Sequence, residues 1–492
     1  MACADVTMPA TRTSGRLPFP PPANGPVHAY AGRWWMLPVI LIGSFLSFLD
    51  FFIVNIALPA IRADLNATPA DLQFVVAAYG VGFGVTLITG GRLGDIYGRK
   101  RVFMLGIGSF TAASLVCGIA PTPGWLIGAR VVQAVAAATV TPQVLAIIRT
   151  EFTPAERPTA IGLYGTSMGL ASIMGQVLGG FLVSANLAGW SWRLIFLVNL
   201  PVGLVALVLA AIMVPESRGE ARPTLDWGGV GFASLGLFLL IFPVVAGREA
   251  NWPAWSFAML ASAIPVGYGF IAYERRQIRS GATPLLALHL LHIPTIRMGL
   301  LSAAVFFFGL GVFFVVLTVT LQSGHGYSPF QTGLLFLPFA VAFSVAAALS
   351  GRVTARLGVG ILNLGTVLMA VGLLLLLGAL SGALNPVRVA VALAVYGVGQ
   401  GLAQPALINI VIGSSGISGD DTGAAVGLFL TTAQSCIALG VAVLGDVFFW
   451  RLGSAAAPAD YLSAASSVLI CNLVLLAITF VLALRLTGVR GR

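Results

Sequence analysis

Residues 35–59 read WMLPVILIGSFLSFLDFFIVNIALP, an apolar run with one charge, Asp50. A helix of about 20 apolar residues crosses the hydrocarbon core of a bilayer, so this run is long enough to be a membrane span. An acid inside such a span is costly, and we expect it to pair with a base or to line a watered cavity. The run is too long for a signal-peptide core and has no convincing small-residue cleavage site.

The same composition continues along the chain. Of its 492 residues 58% are hydrophobic and 9% are charged, which excludes a water-soluble enzyme as the main interpretation. Fourteen stretches of spanning length predict an all-α polytopic membrane protein. These stretches are residues 35–59, 72–91, 102–120, 125–148, 159–183, 194–214, 227–246, 255–273, 298–321, 333–350, 359–380, 389–412, 423–449 and 463–484.

The basic residues predict the orientation. With the spans taken in order, 20 of the 26 Lys and Arg residues fall on the side of the termini and five on the opposite side, and Arg130 lies inside a span. Basic loops stay in the cytoplasm, so both termini are predicted to be cytoplasmic and the location to be a bacterial cell membrane. The formal charge of +10 belongs to these loops and requires no nucleic-acid partner.

A short repeat indicates how the spans are grouped. A Gly-Arg pair with a second glycine seven residues after the first occurs at 91–98, after the second span, and at 351–358, after the tenth. The copies become equivalent if spans seven and eight are inserted between two six-helix bundles, an arrangement typical of secondary transporters. The predicted parts are a disordered cytoplasmic tail (1–34), the first bundle (35–214), two inserted helices with linkers (215–296), the second bundle (297–486) and a cytoplasmic tail (487–492).

Several stretches carry motifs of a known family. They are Asp50 with 53–59, the loop 91–100, Arg130 with Gln133, 190–193 with 199–201, 226–228, 321–322 with 326–328, and 397–405. These motifs resemble those of the fourteen-helix drug/proton antiporters of the major facilitator superfamily, and the resemblance covers roughly residues 35–485. It implies the major facilitator fold and proton-coupled export of lipophilic drugs, antibiotics or dyes by alternating access.

The fifth predicted span departs from the family's antiporter signature. Gln176 follows Gly175 where the family has a proline, and Gly179 and Gly180 come shortly after. The loss of the proline removes a helix kink. The three glycines are predicted to be helix-packing positions.

Asp50 and Arg130 are the two charges well inside the predicted spans, with Asp446 nearer an outer end. Asp50 lies roughly 14 Å and Arg130 roughly 8 Å from the outer ends of their spans, so an arginine side chain can bridge the difference. At about 4 Å their attraction is on the order of 4 kcal/mol at an effective dielectric constant of 20.

This pair is predicted to couple transport to protons. The resemblance implies that both helices line the central cavity. The carboxylate stays ionised while the arginine is close, and it takes up a proton when rocking separates the pair or the cavity dries. A permanent structural ion pair is the alternative.

Two glutamines are predicted to support the pair. Gln133 lies three residues from Arg130 and is expected to steer it, with a small-residue helix contact as the alternative. Gln176 lies at a similar depth in span five. It is expected to join the network or touch substrate, with an interhelical hydrogen bond as the alternative.

The loop after the second span is predicted to gate the cytoplasmic side. A simple solvated loop would account for the basic residues of this segment. It would not account for the position of an acid between two glycines. The resemblance implies a latch whose ion pairs break between inward and outward states. The second copy carries Ala355 at the acid position, so the latch is one-sided. The predicted gate residues are Gly91, Arg92, Asp95, Gly98, Arg99 and Lys100.

Polar and aromatic side chains inside the bundles offer candidate substrate contacts. For the polar residues the alternative is a tie between helices, and for the phenylalanine cluster of span nine it is a lipid-facing position. Spans nine to twelve contain no acid, which favours neutral, zwitterionic or singly charged substrates over dications. The candidates are Tyr79, Gln400, Gln404, Gln434 and Phe307.

Other protein classes are disfavoured. No phosphate-binding loop ending in Gly-Lys-Ser/Thr exists, so ATP is not expected to drive transport. The histidines do not cluster with acids or cysteines, so neither a metal nor another cofactor is expected. A membrane-embedded enzyme or lipid-handling protein would need clustered polar residues in the spans. A channel would need a repeated selectivity ring.

The nearest rival is a same-fold porter for one metabolite or a self-made antibiotic. The predicted partners are a small lipophilic substrate, protons and the lipid bilayer, and the predicted state is a monomer.

Overall fold

The protein is a bundle of long α-helices. Its structure, a computed structural model, describes residues 32–153, 155–218, 226–280, 285, 288–380, 384–412, 422–453 and 457–490. Within these residues fourteen helices are long and apolar enough to cross a membrane, and β-strands are absent. The predicted all-α fold with fourteen spans is confirmed. Residues 1–31 of the predicted N-terminal tail lie outside the described part.

We number the fourteen helices in chain order. Two are irregular at one end: α6 opens with a 3₁₀ turn, Ser191–Arg193, and α9 passes into a π-helical turn, Thr320–Gly324. The helices are α1 (Arg33–Leu65), α2 (Pro69–Tyr97), α3 (Arg99–Gly118), α4 (Pro123–Glu151), α5 (Arg157–Ala185), α6 (Ser191–Met213), α7 (Trp227–Glu249), α8 (Ala254–Arg279), α9 (Pro294–Val319), α10 (Pro329–Leu357), α11 (Gly360–Leu380), α12 (Pro386–Ile412), α13 (Thr422–Leu452) and α14 (Pro458–Arg490).

Some helix ends differ from the predicted ones. The first span was predicted to end at Pro59, and α1 continues beyond it to Leu65. Proline is tolerated inside membrane helices, where neighbouring groups compensate for the lost backbone hydrogen bond. The helix ends instead at Asn66, whose φ of 50° is in the left-handed region that terminates helices. At the other terminus α14 runs to Arg490 and takes in most of the predicted tail 487–492.

Helices α2 and α10 begin with the same capping box. The Thr68 hydroxyl accepts from the Asp71 N–H at 3.1 Å, and the Asp71 carboxylate accepts from the Thr68 N–H at 2.9 Å. Ser328 and Gln331 exchange the equivalent bonds at 3.2 and 2.9 Å, and a proline follows each cap. This match, unnoticed in the sequence, supports the internal repeat.

The packing of the helices follows the same repeat. In the first bundle, α1–α6, helix α2 packs on α4, α1 on α5, and α3 on α4 and α6. In the second bundle, α9–α14, helix α10 packs on α12, α9 on α13, and α11 on α12 and α14. Each of these pairings of the first bundle thus recurs at the equivalent place in the second. The inserted helices α7 and α8 pack on each other, and α7 also touches α2 and α13.

Two hydrogen bonds join the bundles at one end, which we call the Asn66 end because Asn66 joins α1 to α2 there. The Phe330 N–H of α10 donates to the Ser184 hydroxyl of α5 at 3.0 Å. The Gln322 amide, in the turn after α9, donates to the Ile56 carbonyl of α1 at 3.0 Å. These two bonds close the Asn66 end. The bundles also touch farther along, where the Thr431 hydroxyl of α13 donates to the Gly84 carbonyl of α2 at 3.1 Å.

The helices separate toward the opposite end, the Gly98 end, where Gly98 joins α2 to α3. On α5, Ile161 and Leu163 are 44% and 43% exposed. Side chains two residues apart on a helix point in nearly opposite directions, so α5 is uncovered on two sides here. A methyl group at Gly162 or Gly165 would meet no neighbouring heavy atom within 4 Å. The structure is therefore open at the Gly98 end.

A salt bridge fixes the start of α1 to the turn between α4 and α5. The Arg33 guanidinium lies 2.7 Å from the Glu156 carboxylate, which also accepts from the Thr153 hydroxyl at 2.8 Å. These bonds hold the pKa of Glu156 at about 2, below its ordinary value of 4.5. The bridge therefore stabilises the fold fully above pH 4.5, and this contribution disappears as the pH falls toward 2.

We expect Glu156→Gln to lower the thermal stability slightly at neutral pH, because the bridge is partly exposed to solvent. The difference from the unmodified protein should shrink as the pH falls toward 2. Thermal unfolding of both proteins over this pH range measures the effect. A difference that stays constant with pH would show that the ion pair is not its cause.

Candidate functional site

Asp50 of α1 and Arg130 of α4 form an ion pair inside the first bundle. Their side chains are 0% and 1% exposed, and Nη1 of Arg130 donates to Oδ2 of Asp50. Buried charges of this kind are stable only when they are paired and hydrogen bonded. Both side chains are covered by protein in this conformation.

Three polar neighbours hold the pair in place. The Gln133 amide donates to Oδ1 of Asp50 at 2.9 Å and accepts from Nη1 of Arg130 at 2.7 Å. The Asn199 amide of α6 donates to the same carboxylate oxygen at 3.2 Å. The Ser114 hydroxyl of α3 accepts from Gln133 at 2.8 Å and from Asn199 at 3.3 Å. The carboxylate is thus bonded from two other helices, α4 and α6.

Aromatic rings cover the arginine. The guanidinium carbon of Arg130 lies 4.2 Å from the Tyr79 ring centroid and 5.7 Å from that of Phe196. Such contacts favour a cation over the ring face. The Tyr79 hydroxyl donates to the Ser47 carbonyl at 3.1 Å, and the residue is 2% exposed. In this conformation Tyr79 belongs to the ion-pair site and is not open to a substrate.

Small residues let the helices come this close. A methyl group at Gly43 of α1 would lie 2.8 Å from Phe103 and from Val140. On α4, Ala134 and Ala137 are fully buried on the stripe that starts at Gln133. Gln133 bonds to both members of the ion pair, and the stripe beside it packs α4 against its neighbours. A steering role for Gln133 stays a prediction.

Gln176 lies apart from this network. Its side chain is 1% exposed, and among the described residues neither amide atom has a hydrogen-bond partner. Its backbone carbonyl lies against Gly333 of α10, so it is part of the contact between the bundles.

The three glycines of α5 lie at two helix contacts. A methyl group at Gly175 would lie 2.8 Å from Phe52 of α1, and one at Gly179 would lie 2.7 Å from Ile53. Gly180 faces the other way and lies against the backbone of Pro329 on α10. The first two glycines pack α5 within its own bundle, and the third allows the bundles to touch.

We expect Gly180→Val to open the Asn66 end, because the new side chain would meet a backbone carbonyl that cannot move aside. Water-soluble maleimide should label a reporter cysteine at position 176 faster in this variant than in the parent. Gly165→Val is the matched control, since nothing lies within 4 Å of that position. Equal labelling rates in all three proteins would contradict the expectation.

The predicted gate residues are tied to their own bundle. Nη2 of Arg99 lies 3.1 Å from Oδ1 of Asp95, one turn earlier. Gly98 adopts a φ of 106°, and a side chain there would collide with the Glu216 carboxylate. A methyl group at Gly91 would lie 3.5 Å from Pro142 of α4. The Asp95 ion pair therefore stays within the α2–α3 turn in this open conformation.

One cation of the same turn contacts another helix. The Lys100 ammonium donates to the Ala211 carbonyl of α6 at 2.7 Å. Arg92 lies within α2 and is half-buried. The turn is thus linked to α6.

The candidate substrate residues do not converge on one place. The Gln400 amide donates to Gln404 one turn later on α12 at 3.3 Å. Gln434 of α13 packs against Gly84 of α2, where the bundles meet. Phe307 is 4% exposed and lies edge-on to Phe429, with ring centroids 5.9 Å apart. The alternative of a lipid-facing Phe307 is therefore wrong, because α9 is central to its bundle.

Sequence reasoning missed two members of the ion-pair site. Ser114 is a buried serine in an apolar span, and Asn199 was recognised only as part of a motif. The residue types in the sequence indicate that both side chains are hydrogen bonded, because an amide or hydroxyl inside a span needs a partner. Their partner was not predictable, because it depends on how α3 and α6 rotate.

Comparison with known proteins places this geometry in a family. The profile described as Major Facilitator Superfamily matches residues 40–441. A probable actinorhodin transporter of Streptomyces coelicolor is 40% identical over 431 residues, which are 87% of this chain and 74% of that protein. The multidrug resistance protein Stp of Mycobacterium tuberculosis is 31% identical over 409 residues, 82% of this chain and 74% of that protein.

A solved structure agrees in fold. The inward-facing, unoccupied structure of a bacterial homologue of the human lysosomal transporter Spinster superposes with a TM-score of 0.66 at 16% identity. It covers 94% of this chain and 98% of the other. The profile match, the relatives and the repeated helix packing lead to one conclusion: the chain belongs to the Major Facilitator Superfamily of membrane transporters.

Proposed function

We propose that the protein exports lipophilic small molecules from the cytoplasm in exchange for protons. The observation that carries this proposal is the buried Asp50–Arg130 pair, a titratable acid inside the membrane whose hydrogen bonds depend on the surrounding helices. Moving one charge across 100 mV corresponds to about 2.3 kcal/mol, so a proton gradient can drive export without ATP.

The proposed orientation explains the conformation. With the Gly98 end in the cytoplasm, as the arginine distribution predicts, the protein is closed outside and open inside. This is the state in which an exporter takes up its cargo. The unpartnered Gln176 at the outer closure favours the return to the outward-open state, where water can hydrate its amide.

Asp50 must take up its proton by a route that does not separate it from Arg130. Asp50 and Arg130 lie in helices of the same bundle, so movement of one bundle against the other does not separate them. However, α1 contacts α9 across the interface, through the rings of Phe52 and Phe314 with centroids 5.8 Å apart. We infer that opening the Asn66 end uncovers this side of α1, admits water and lets a proton from outside bind Asp50.

The cargo is proposed to be flat and apolar. Next to Phe52, the second bundle presents Phe314, which contacts Phe336 and Phe339. All three rings are at most 2% exposed in this conformation, so they become available to a planar hydrophobic molecule only when the Asn66 end opens. The names of the relatives favour antibiotics and drugs, one being a probable actinorhodin transporter and another a multidrug resistance protein.

A porter for one antibiotic is the second candidate, favoured by the relative with 40% identity. Purified protein in liposomes separates the candidates when an imposed proton gradient drives uptake of actinorhodin, of dyes and of unrelated antibiotics. Transport of several unrelated compounds supports the multidrug function, and transport of actinorhodin alone supports the specific one. Transport that ignores the gradient would refute proton coupling.

A further inference from the structure

The turn between α9 and α10 carries a sequence motif that lies outside the ion-pair site. The motif consists of residues 321–322 and 326–328. Its Gln322 lies in the π-helical turn Thr320–Gly324, and the side-chain amide donates to the Ile56 carbonyl of α1 at 3.0 Å. A carbonyl oxygen has two lone pairs, so it can accept this bond within a continuous helix. Gln322 of the second bundle thus holds the backbone of the first.

The internal repeat shows that a π-helical turn is not needed to connect these helices. In the first bundle Asn66, with a φ of 50°, lies two residues before the cap residue Thr68. In the second bundle Gly326, with a φ of 71°, lies two residues before the cap residue Ser328. Helix α1 reaches its turn without a π-helical segment, whereas α9 contains one. Such segments are frequent at functional sites, and this one carries Gln322.

The second bundle fixes the position of the Gln322 amide. The Gly326 N–H donates to the Gln322 carbonyl at 3.1 Å, and the preceding Leu321 is fully buried. A methyl group at Gly324 would lie 2.8 Å from Tyr461, so the turn lies directly on α14. A π-helical turn holds one residue more than an α-helical turn, which rotates the side chains that follow by about 100°. The turn therefore decides which way Gln322 points.

The side chain of Ile56 is held by the second bundle as well. It is fully buried in an apolar cluster that includes Phe314 and Leu321. Phe52, one turn earlier on α1, contacts Phe314 with ring centroids 5.8 Å apart. Asp50 lies six residues before Ile56, roughly 9 Å along the helix axis, and its bonds stay within the first bundle. One half-helix thus joins the ion-pair site to the contact with the second bundle.

We propose that Gln322 is a positioning residue for proton uptake, because its bond to Ile56 holds the outer half of α1 closed and must be released before a proton reaches Asp50. Apolar contacts such as that of Phe52 are non-directional and tolerate small displacements. The amide–carbonyl bond depends on distance and angle and is lost as soon as α1 and α9 separate. This inference rests on the proposed function, in which Asp50 binds the proton that drives export.

Gln322→Met tests the contact, since it removes the amide donor and keeps an unbranched side chain. Water-soluble maleimide should label a reporter cysteine at position 176, a site that is 1% exposed between the bundles, faster in this variant than in the parent. We expect a rate about three- to tenfold higher, as the loss of one hydrogen bond predicts. Gln322→Asn keeps an amide that is one methylene too short and should act in the same direction.

Gln143→Met is the matched control. The Gln143 amide also donates to a helix carbonyl, that of Gly90 at 2.7 Å, but both residues belong to the first bundle. The control therefore loses the same kind of bond without changing the contact between the bundles. Its labelling rate at position 176 should equal that of the parent.

The pH dependence of export separates a role in proton uptake from a merely structural one. The titratable groups around Asp50 are Arg130, Tyr79 and Cys117, all in the first bundle, so Gln322→Met leaves their contacts unchanged. More frequent opening raises the population of the state that binds the proton, and with it the apparent proton affinity. The outer pH of half-maximal dye export from liposomes should therefore rise by about 0.5–1 unit.

The two measurements decide different parts of the proposal. Unchanged labelling in Gln322→Met, or equally fast labelling in Gln143→Met, would overturn the role of Gln322 in closure. Faster labelling without a shift in the half-maximal pH would overturn its role in proton uptake. Export by the parent that ignores the proton gradient would refute the proposed function instead, and the labelling rates would still decide whether Gln322 holds α1 closed.

Discussion

Asp50→Asn should abolish proton-driven export, and it should also lower the stability, because Arg130 stays buried without its counter-charge. The asparagine side chain has nearly the same size and keeps an oxygen for the bonds from Gln133 and Asn199, which lie at 2.9 and 3.2 Å from Oδ1. It has no group that binds and releases a proton near neutral pH. Accumulation of dye in liposomes under an imposed proton gradient should therefore fall to the level of protein-free liposomes.

Exchange without a gradient separates coupling from binding. If the only role of Asp50 is to couple transport to protons, the variant should still exchange internal for external labelled substrate when substrate is present on both sides. Asp71→Asn is a suitable control, because Asp71 is an acid of the Asn66 end that only caps α2. Full gradient-driven export by Asp50→Asn would leave the ion pair with a purely structural role.

The fold was largely predictable from the sequence because spanning helices are defined by length and composition. All fourteen were identified, although ends such as that of α1 depend on local caps. Asn66 stops α1 through its left-handed conformation, whereas the more conspicuous Pro59 does not. The capping boxes at Thr68 and Ser328 were readable in the sequence as Thr/Ser-Pro-x-Asp/Gln and would have strengthened the repeat.

The central ion pair of the site was predictable from the sequence, because it follows from the charges of the two side chains. Two opposite charges at matched depths in an apolar protein have few alternatives to each other, and Asp50 and Arg130 are in contact. The residues that surround the ion pair depend on how each helix is rotated and on which bundle it packs against. For that reason Asn199 was not assigned to the carboxylate, and Gln176 was placed near a network from which it is separate.

Arg130→Met should cause the largest loss of stability among single substitutions in this site. Methionine retains apolar contact with the Tyr79 and Phe196 rings, which lie 4.2 and 5.7 Å from the guanidinium carbon. The substitution therefore removes mainly the charge and leaves the Asp50 carboxylate buried without a cation. Breaking a buried pair in this way typically costs about 3–5 kcal/mol. Denaturant unfolding in mixed lipid–detergent micelles measures the loss.

The double variant Asp50→Asn/Arg130→Met should be more stable than Arg130→Met alone, because a neutral amide needs no counter-charge. Gln133 and Asn199 can still donate to its oxygen, so the deficit that remains reflects the lost bonds of the guanidinium. Such non-additivity is expected for residues in direct contact. Arg388→Met, at an exposed arginine, should change the free energy of unfolding by no more than about 0.5 kcal/mol.

If the two site substitutions instead destabilise additively, Asp50 draws no stabilisation from Arg130. The carboxylate must then be neutral already in the closed state, and the proton would have to be bound before the Asn66 end opens.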